Sequence, residues 1–422
     1  MTVDRIDEAD EETTFLLCPF GSAGDVYPFL GLALRLQSRG HKVIVMTSGY
    51  FQETAERLGL EFVDGLSRER FLELVENPDL WHPWRGAAAV LETVRPEDLR
   101  SFYELVKERY VPGKTIAITS VLGFAVRMAH DKLDIPLLTV DLQPLVLWSK
   151  YESPIIPGLW KSGPAWFKQL QFRIGTAILG RILAPRLNPF RAELDLPPIK
   201  DFYHWMHSPL AIIGLYPPWY APPQPDWPPQ VRLTQFPLWD ENADEPLPER
   251  VETFLQAGDP PIVFTPGSAN VIGHDFFAAS AEACRRLGRR GMLFTRFPKS
   301  VPDDLPAGVE HFEYAPFTKL LPRVAAIAHH GGIGTTSAAL AAGIPQLIMP
   351  FAHDQPDNLL RLQKLGVGDG LLPKKYQAPA VAKKLQYLLE SPEVQSKCAE
   401  IAARFAGLDP YAEIVEAVES FL

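Results

Sequence analysis

Residues 14–47 read TFLLCPFGSAGDVYPFLGLALRLQSRGHKVIVMT. An apolar run, TFLLC, leads into a glycine-punctuated turn, FGSAGDVYPF, then into the helix-like LGLALRLQSRG and a second apolar run, KVIVMT. Short apolar runs alternating with amphipathic stretches predict βα units and a parallel sheet. The rhythm continues through YFQETAERLG and EFV, then TIAITS, the helical VLGFAVRMAHDKL and PLLTV. After residue 258 it restarts with PIVFTPGS, a helix through Phe277–Leu287, GMLFTR, VEHFEY, VAAIAHHGG, the small-residue helix TTSAALAAG and PQLIMP. The expected fold class is therefore α/β, with two doubly wound, Rossmann-like halves. A chain of 422 residues also exceeds the size at which a single core stops growing.

Between the halves, PPWYAPPQPDWPPQVRLTQFPLWDENADEPLPE holds ten of the 41 prolines. Proline removes backbone donors and fixes φ, so this segment is neither a continuous helix nor a central strand. The linker is expected near Leu238–Pro246, with the segment before it packed along the first domain. Residues 1–13 are expected to be a disordered leader, because MTVDRIDEADEETT is acidic where a signal peptide is basic and then apolar. Residues 14–240 then form an N-terminal domain and 241–408 a C-terminal domain. Residues 409–422 are a last helix that can pack back on the first domain.

A net charge of −10 and a pI near 5.6 argue against nucleic-acid binding, which needs a basic face. Cys18, Cys284 and Cys398 stand far apart, without metal-ligand spacing, and read as reduced, buried thiols of a cytoplasmic protein. No D-x-D closes an apolar strand, so nothing in the sequence calls for a metal. Apolar runs such as AALAAGIPQLIMPFA are broken well short of the roughly 20 residues of a membrane span. From Ser153 to Ala192, however, there is no acidic residue, while Lys161, Lys168, Arg173, Arg181, Arg186 and Arg191 are interleaved with Trp160, Trp166, Phe167 and Phe172. Peripheral contact with the inner face of an anionic membrane is one reading of 153–192. A lid or acceptor-pocket helix with solvated cations is the other, favoured because the apolar positions form no clean stripe along the sequence.

The most informative stretch for chemistry is AHHGGIGTTSAALAAGIPQLIMPFAHDQPDN. An apolar strand ends at His329–His330, glycines follow at 331, 332 and 334, and a helix begins near Thr335. Backbone N–H groups at such a helix start, exposed by glycines, suit a diphosphate. The terminal Lys-Ser/Thr of a P-loop is absent, which disfavours ATP or GTP hydrolysis. His330 can donate to a phosphate, and Asp354 with Gln355 offers acceptors and donors for vicinal sugar hydroxyls. Gly267 and Ser268, in PIVFTPGSAN, mark another strand's C-terminal end, where open α/β sheets bind ligands. Together these features imply a nucleotide sugar, used as a co-substrate with no resident cofactor.

The segment from Tyr314 to Asn358 resembles the donor-binding signature of family 1 glycosyltransferases, which have the two-domain GT-B architecture, two domains facing across a cleft. FGSAGDVYPF resembles the G-S-x-G-D-x-x-P turn of bacterial antibiotic, sterol and rhamnosyl transferases. Including DLWHP, WMHSP and WYAPPQPDWP, the chain also resembles the rhamnosyltransferase chain of rhamnolipid biosynthesis and its relatives. The resemblance implies diphosphate contacts from Ser268, His330, Gly332, Gly334 and Thr335, base contacts from Tyr314 and Ala315, and sugar contacts from Asp354 and Gln355. Plant members carry a ribose-binding Glu where this chain has Ala338, and Trp and Gln where it has Tyr314 and Phe317. UDP and dTDP therefore both remain open, as do glucose and rhamnose.

Plant members also place a catalytic His where this chain has Asp25, supported by an Asp near the place of Ser120. An aspartate can act on an acceptor hydroxyl directly, without a second carboxylate to orient it. The implied mechanism is a single inverting displacement. Asp25 removes the acceptor proton, Ser22 and Ser120 support it, and the donor turns stabilise the departing diphosphate. The alternative role for Asp25 is capping of the following helix, which is compatible with catalysis. An inverting hexosyltransferase acting on a hydrophobic hydroxylated acceptor is thus expected. A nucleotide-sugar epimerase and a non-catalytic nucleotide-sugar-binding subunit are the alternatives.

Overall fold

Seven short strands build the first sheet: β1 (Thr14–Cys18), β2 (Lys42–Ser48), β3 (Glu61–Leu66), β4 (Thr115–Thr119), β5 (Leu137–Asp141), β6 (Ala211–Gly214) and β7 (Val231–Leu233). All neighbours in the order β3-β2-β1-β4-β5-β6-β7 are parallel. The computed structural model describes residues 13–155, 159–160, 162–241, 245–267 and 273–422. Residues 1–12 of the expected leader lie outside them, as do Lys161 and Ser268.

Crossover helices cover both faces, so the strands read as continuous apolar runs rather than as alternating ones. Leu16 pairs in register with Ile44 and Ala117, and all three enter one core with Phe124 and Met128 of the helix Phe124–Leu133. Each fully buried side chain of this kind stabilises the fold by about 1.5–3 kcal/mol. Two strands of this sheet escape the sequence pattern. β6 is a four-residue apolar run, and β7 lies inside the proline-rich segment. The prolines confine β7 to an edge, where it pairs only with β6.

The second sheet has six parallel strands: β8 (Ile262–Thr265), β9 (Gly291–Phe294), β10 (Val309–Phe312), β11 (Ala326–His329), β12 (Gln346–Ile348) and β13 (Gly368–Gly370). Their order is β10-β9-β8-β11-β12-β13. Val263, Met292 and Ile327 pack with Phe254 and Ala339 from flanking helices. In each sheet the strand order reverses at one point, between β1 and β4 in the first and between β8 and β11 in the second. Ligands of open α/β sheets bind outside the strands' carboxyl ends at such points.

By internal contacts the chain divides into Met1–Pro237 with Asp409–Leu422, and Leu238–Leu408. The last helix, Ala412–Glu419, belongs to the first unit. Tyr411 donates to the Pro28 carbonyl at 3.3 Å, and Glu419 bonds Arg39 at 2.6 Å and His41 at 2.9 Å.

The acid-free segment forms the 29-residue helix Ala165–Glu193. Its two halves differ. Leu183, Leu187 and Phe190 enter the core, whereas Trp166, Leu170, Ile174 and Ile178 face solvent at a spacing of four. As the sequence suggests, no single apolar stripe runs the length of the helix, because the buried and the exposed apolar residues lie on different faces. Among the described residues, no helix is long and apolar enough to cross a membrane.

Candidate active site

The carboxyl ends of β8 and β11 meet at His330. This ring stands in the space that side chains at Gly267 and Gly332 would need. A Cβ at Gly267 would lie 2.8 Å from its Cε1, and one at Gly332 would lie 2.4 Å from its Nε2. Burial pushes the His330 imidazole down to about 4, so the ring is neutral at pH 7 and can donate only through one nitrogen. Its Nδ1 is buried with no hydrogen-bond partner among the described residues. His329 is also neutral, pushed down to about 3 by burial and by its neighbour His330. It accepts from the Gly331 N–H at 3.1 Å through Nδ1, which leaves Nε2 to donate to Gln346 at 3.0 Å. His329 therefore shapes the turn from beneath.

The helix after this turn spans Ile333–Ala342 with Gly332 at its N-cap. It starts two residues earlier than the sequence suggests, so Gly334 and Thr335 both lie in its first turn, where backbone N–H groups lack intrahelical acceptors. Gly334 is exposed, with no atom within 4 Å of the place a Cβ would take. A neutral donor, a helix N-terminus and a bare glycine thus follow β11 in succession, a set of groups suited to a diphosphate.

The expected sugar pair lies at the start of the helix Gln355–Leu365, capped by Asp354. Gln355 is buried, and its Oε1 accepts from the N–H groups of Phe351 and Ala352 at 2.7 and 3.2 Å. That oxygen braces the loop, so only the amide nitrogen can serve a ligand. Asn358, fully buried, donates through Nδ2 to the Gly331 carbonyl at 2.9 Å and to Asp354 Oδ2 at 2.7 Å. It ties the glycine turn to the Asp354 carboxylate. His353, just before, has φ of 58°, a left-handed conformation that is strained for a non-glycine residue. Neither residue stood out in the sequence, because each acts through a contact or a dihedral rather than through its type.

Tyr314 and Ala315 follow β10. Ala315 is buried. Arg296, after β9, places its guanidinium 5.8 Å from the Tyr314 ring centre and adds a cation to this wall.

In the first unit, the turn after β1 forms a capping box. Asp25 Oδ2 accepts from the Ser22 N–H at 2.7 Å and from Ser22 Oγ at 2.9 Å. Gly21 makes this possible, because at φ of 129° its absent Cβ would lie 2.3 Å from that oxygen. Burial raises the Asp25 pKa, with the two Ser22 bonds working the other way. No hydrogen bond to Oδ1 is present among the described residues. Ser120 follows β4 with its Oγ buried and without a hydrogen-bond partner among the described residues, so no bond links it to Asp25. His207, which the sequence leaves without a role, is buried 3.5 Å from Asp141 at the end of β5. Among the described residues, no group of three or more His, Cys, Asp or Glu could hold a metal ion.

Comparison with known proteins bears on both units. Residues 15–145 match the glycosyltransferase family 28 N-terminal domain, and 297–421 match the C-terminal domain of the erythromycin biosynthesis protein CIII-like family. Glycosyltransferase GtfC of Amycolatopsis orientalis is 30% identical over 367 residues, covering 84% of this chain and 85% of its own. The O-mycaminosyltylonolide 6-deoxyallosyltransferase of Streptomyces fradiae is 29% identical over 370 residues, covering 85% of each chain. The solved glycotransferase of kitacinnamycin superposes with a TM-score of 0.76 at 18% identity, over 98% of this chain and 100% of its own. A spinosyn rhamnosyltransferase, solved with thymidine diphosphate, superposes with a TM-score of 0.68 at 18% identity, over 96% of this chain and all of its own. With these relatives and two doubly wound parallel sheets, the chain belongs to the family 1 glycosyltransferases and has their GT-B fold.

Proposed function

We propose that this glycosyltransferase moves a hexosyl group, glucose or rhamnose, from a UDP- or dTDP-sugar to a hydroxyl of a hydrophobic small-molecule or lipid acceptor, with inversion. Residues 14–240 serve the acceptor and 241–408 the donor, with 409–422 packing on the first of these. The observation that carries the donor assignment is the turn His330–Thr335, where a neutral His330, a helix N-terminus and the bare Gly334 follow one another at the end of β11. Ser268, Tyr314 and the Ala315 backbone complete the nucleotide contacts, and Asp354 with the Gln355 amide nitrogen meets the sugar. A neighbour crystallised with thymidine diphosphate and a relative that transfers a 6-deoxyhexose favour dTDP-rhamnose within this set. Three buried free cysteines suit the reducing cytoplasm as the place of reaction.

Asp25 takes the acceptor proton. Ser22 fixes one of its oxygens, which turns the carboxylate and leaves Oδ1 for the incoming hydroxyl, and burial raises its basicity. The departing diphosphate gains charge as the bond to the anomeric carbon breaks, and the donors at His330 and Thr335 meet it without reorganising.

The test is Asp25→Asn. An amide oxygen keeps the bonds from Ser22 but cannot accept a proton, so transfer falls about 10²–10⁴-fold while nucleotide affinity stays. Stability is held or rises. A carboxyl whose folded pKa is raised contributes stability below its unfolded pKa that is lost as pH rises through the folded one, and the neutral amide removes that loss. Transfer at the wild-type rate would make Asp25 a cap alone.

A further inference from the structure

The outer face of the helix Ala165–Glu193 takes no part in the transfer proposed above. Trp166, Leu170, Ile174 and Ile178 lie one helical turn apart, and each leaves 47–68% of its surface in water. Their row runs for about 18 Å. Soluble proteins scatter exposed apolar residues singly, whereas a continuous row marks a contact surface.

The surroundings of this row are built to keep it outside. On the opposite face Trp148 packs against Phe172, with ring centres 5.4 Å apart, and a Cβ at Gly175 would lie only 3.0 Å from the Trp148 ring. This helix therefore cannot roll inward to bury the row. Beside the helix start, the buried Gln171 accepts from the Trp160 N–H at 2.7 Å and donates to the Trp160 carbonyl at 3.2 Å. That clamp fixes the backbone of a residue whose indole is 69% exposed. An unused apolar surface would not need an anchored tryptophan at its edge.

Charge identifies the occupant. The whole chain carries −10, yet residues 153–192 contain no Asp or Glu. Arg173 and Arg181 are exposed on the same side of the helix as the row. Tryptophans at one end, aliphatics along the axis and arginines beside them match the interface of an anionic bilayer, where indoles sit at the headgroups and cations meet lipid phosphates. We infer that this face docks the first unit onto an anionic lipid bilayer, with the helix lying in the interface plane. The inference does not depend on the identity of donor or acceptor.

The test is flotation of the full chain with phosphatidylglycerol-containing vesicles and with pure phosphatidylcholine vesicles. The wild type should float with the anionic vesicles, and less so as salt rises. Ile174→Glu, at an exposed position, should lower the partition coefficient about tenfold or more. Arg173→Gln with Arg181→Gln should lower it about fivefold per charge on anionic vesicles and little on neutral ones. Transfer to a water-soluble acceptor should survive in each variant, which separates this surface from the transfer reaction. Absence of wild-type flotation, or wild-type flotation by Ile174→Glu, would overturn the inference. So would self-association of the wild type that Ile174→Glu abolishes, since a second copy would then be the occupant. Loss of transfer with flotation retained would make the face an acceptor lid instead.

Discussion

Gly332 and Gly334 lie two residues apart, yet alanine should act on them in opposite senses. Gly332 has φ of −63° and ψ of 143°, which alanine adopts without penalty, so the backbone offers no objection. The obstacle is His330, whose Nε2 would lie 2.4 Å from the new methyl. The ring has little room to give, because it also packs against Gly267, whose missing Cβ would lie 2.8 Å from Cε1. Overpacking of this kind costs about 1–3 kcal/mol, and the double confinement places Gly332→Ala near 2 kcal/mol, or roughly 4–8 °C in melting temperature. Gly334 is different. A methyl there meets nothing within 4 Å, and alanine in a helix gains up to about 1 kcal/mol over glycine. That empty space is the proposed diphosphate seat, so Gly334→Ala should bind UDP or dTDP about tenfold more weakly, a loss of about 1.4 kcal/mol. Urea denaturation and calorimetric titration with the free nucleoside diphosphates measure both quantities. A Gly334→Ala protein that is folded and binds nucleotide like the wild type would refute the placement of the diphosphate on this turn.

Acid should destabilise the second unit through its two neutral histidines. Unfolded histidine takes a proton near pH 6.5, whereas folded His330 and His329 hold out to about 4 and about 3. Stability is therefore complete above about pH 6.5 and falls as pH drops, by about 1.4 kcal/mol per unit for each histidine. His330→Gln should remove one such share, seen as a shallower fall of the urea midpoint from about pH 7 to about pH 5, and an unchanged slope would contradict the burial argument. Asn358→Ala should cost about 1–3 kcal/mol by leaving the Gly331 carbonyl and the Asp354 carboxylate short of a donor. It should raise KM for the sugar nucleotide more than Kd for the free diphosphate, and an equal effect on both would mean that Asn358 does not position Asp354.

Much of the α/β architecture was legible because buried parallel strands are continuous apolar runs, and TFLLC, KVIVMT, PIVFTPGS and VAAIAHHGG need no partner to be noticed. β6, β7 and β13 were not, since a four-residue run, a proline-flanked edge strand and the three-residue GDG carry too little local signal. The site divides in the same way. His330, Gly332 and Asp354 stood out by residue type and spacing, because phosphate and sugar chemistry asks for glycines, donors and carboxylates at strand ends, whereas Asp25 stood out through the resemblance of its turn.

Only the tertiary structure decided how those groups are held. Gln355 turns its carbonyl oxygen into its own loop, Asn358 joins two segments 27 residues apart, and Gly267 and Gly332 fit closely against one imidazole. Contacts between residues distant in sequence leave no periodic trace, and so the sequence named the chemistry while packing fixed its geometry. The same holds for the helix Ala165–Glu193. Its composition was plain in the sequence, but which of its apolar residues stay in water depends on where Trp148 and Gln171 pin it, and that is a property of the folded chain alone.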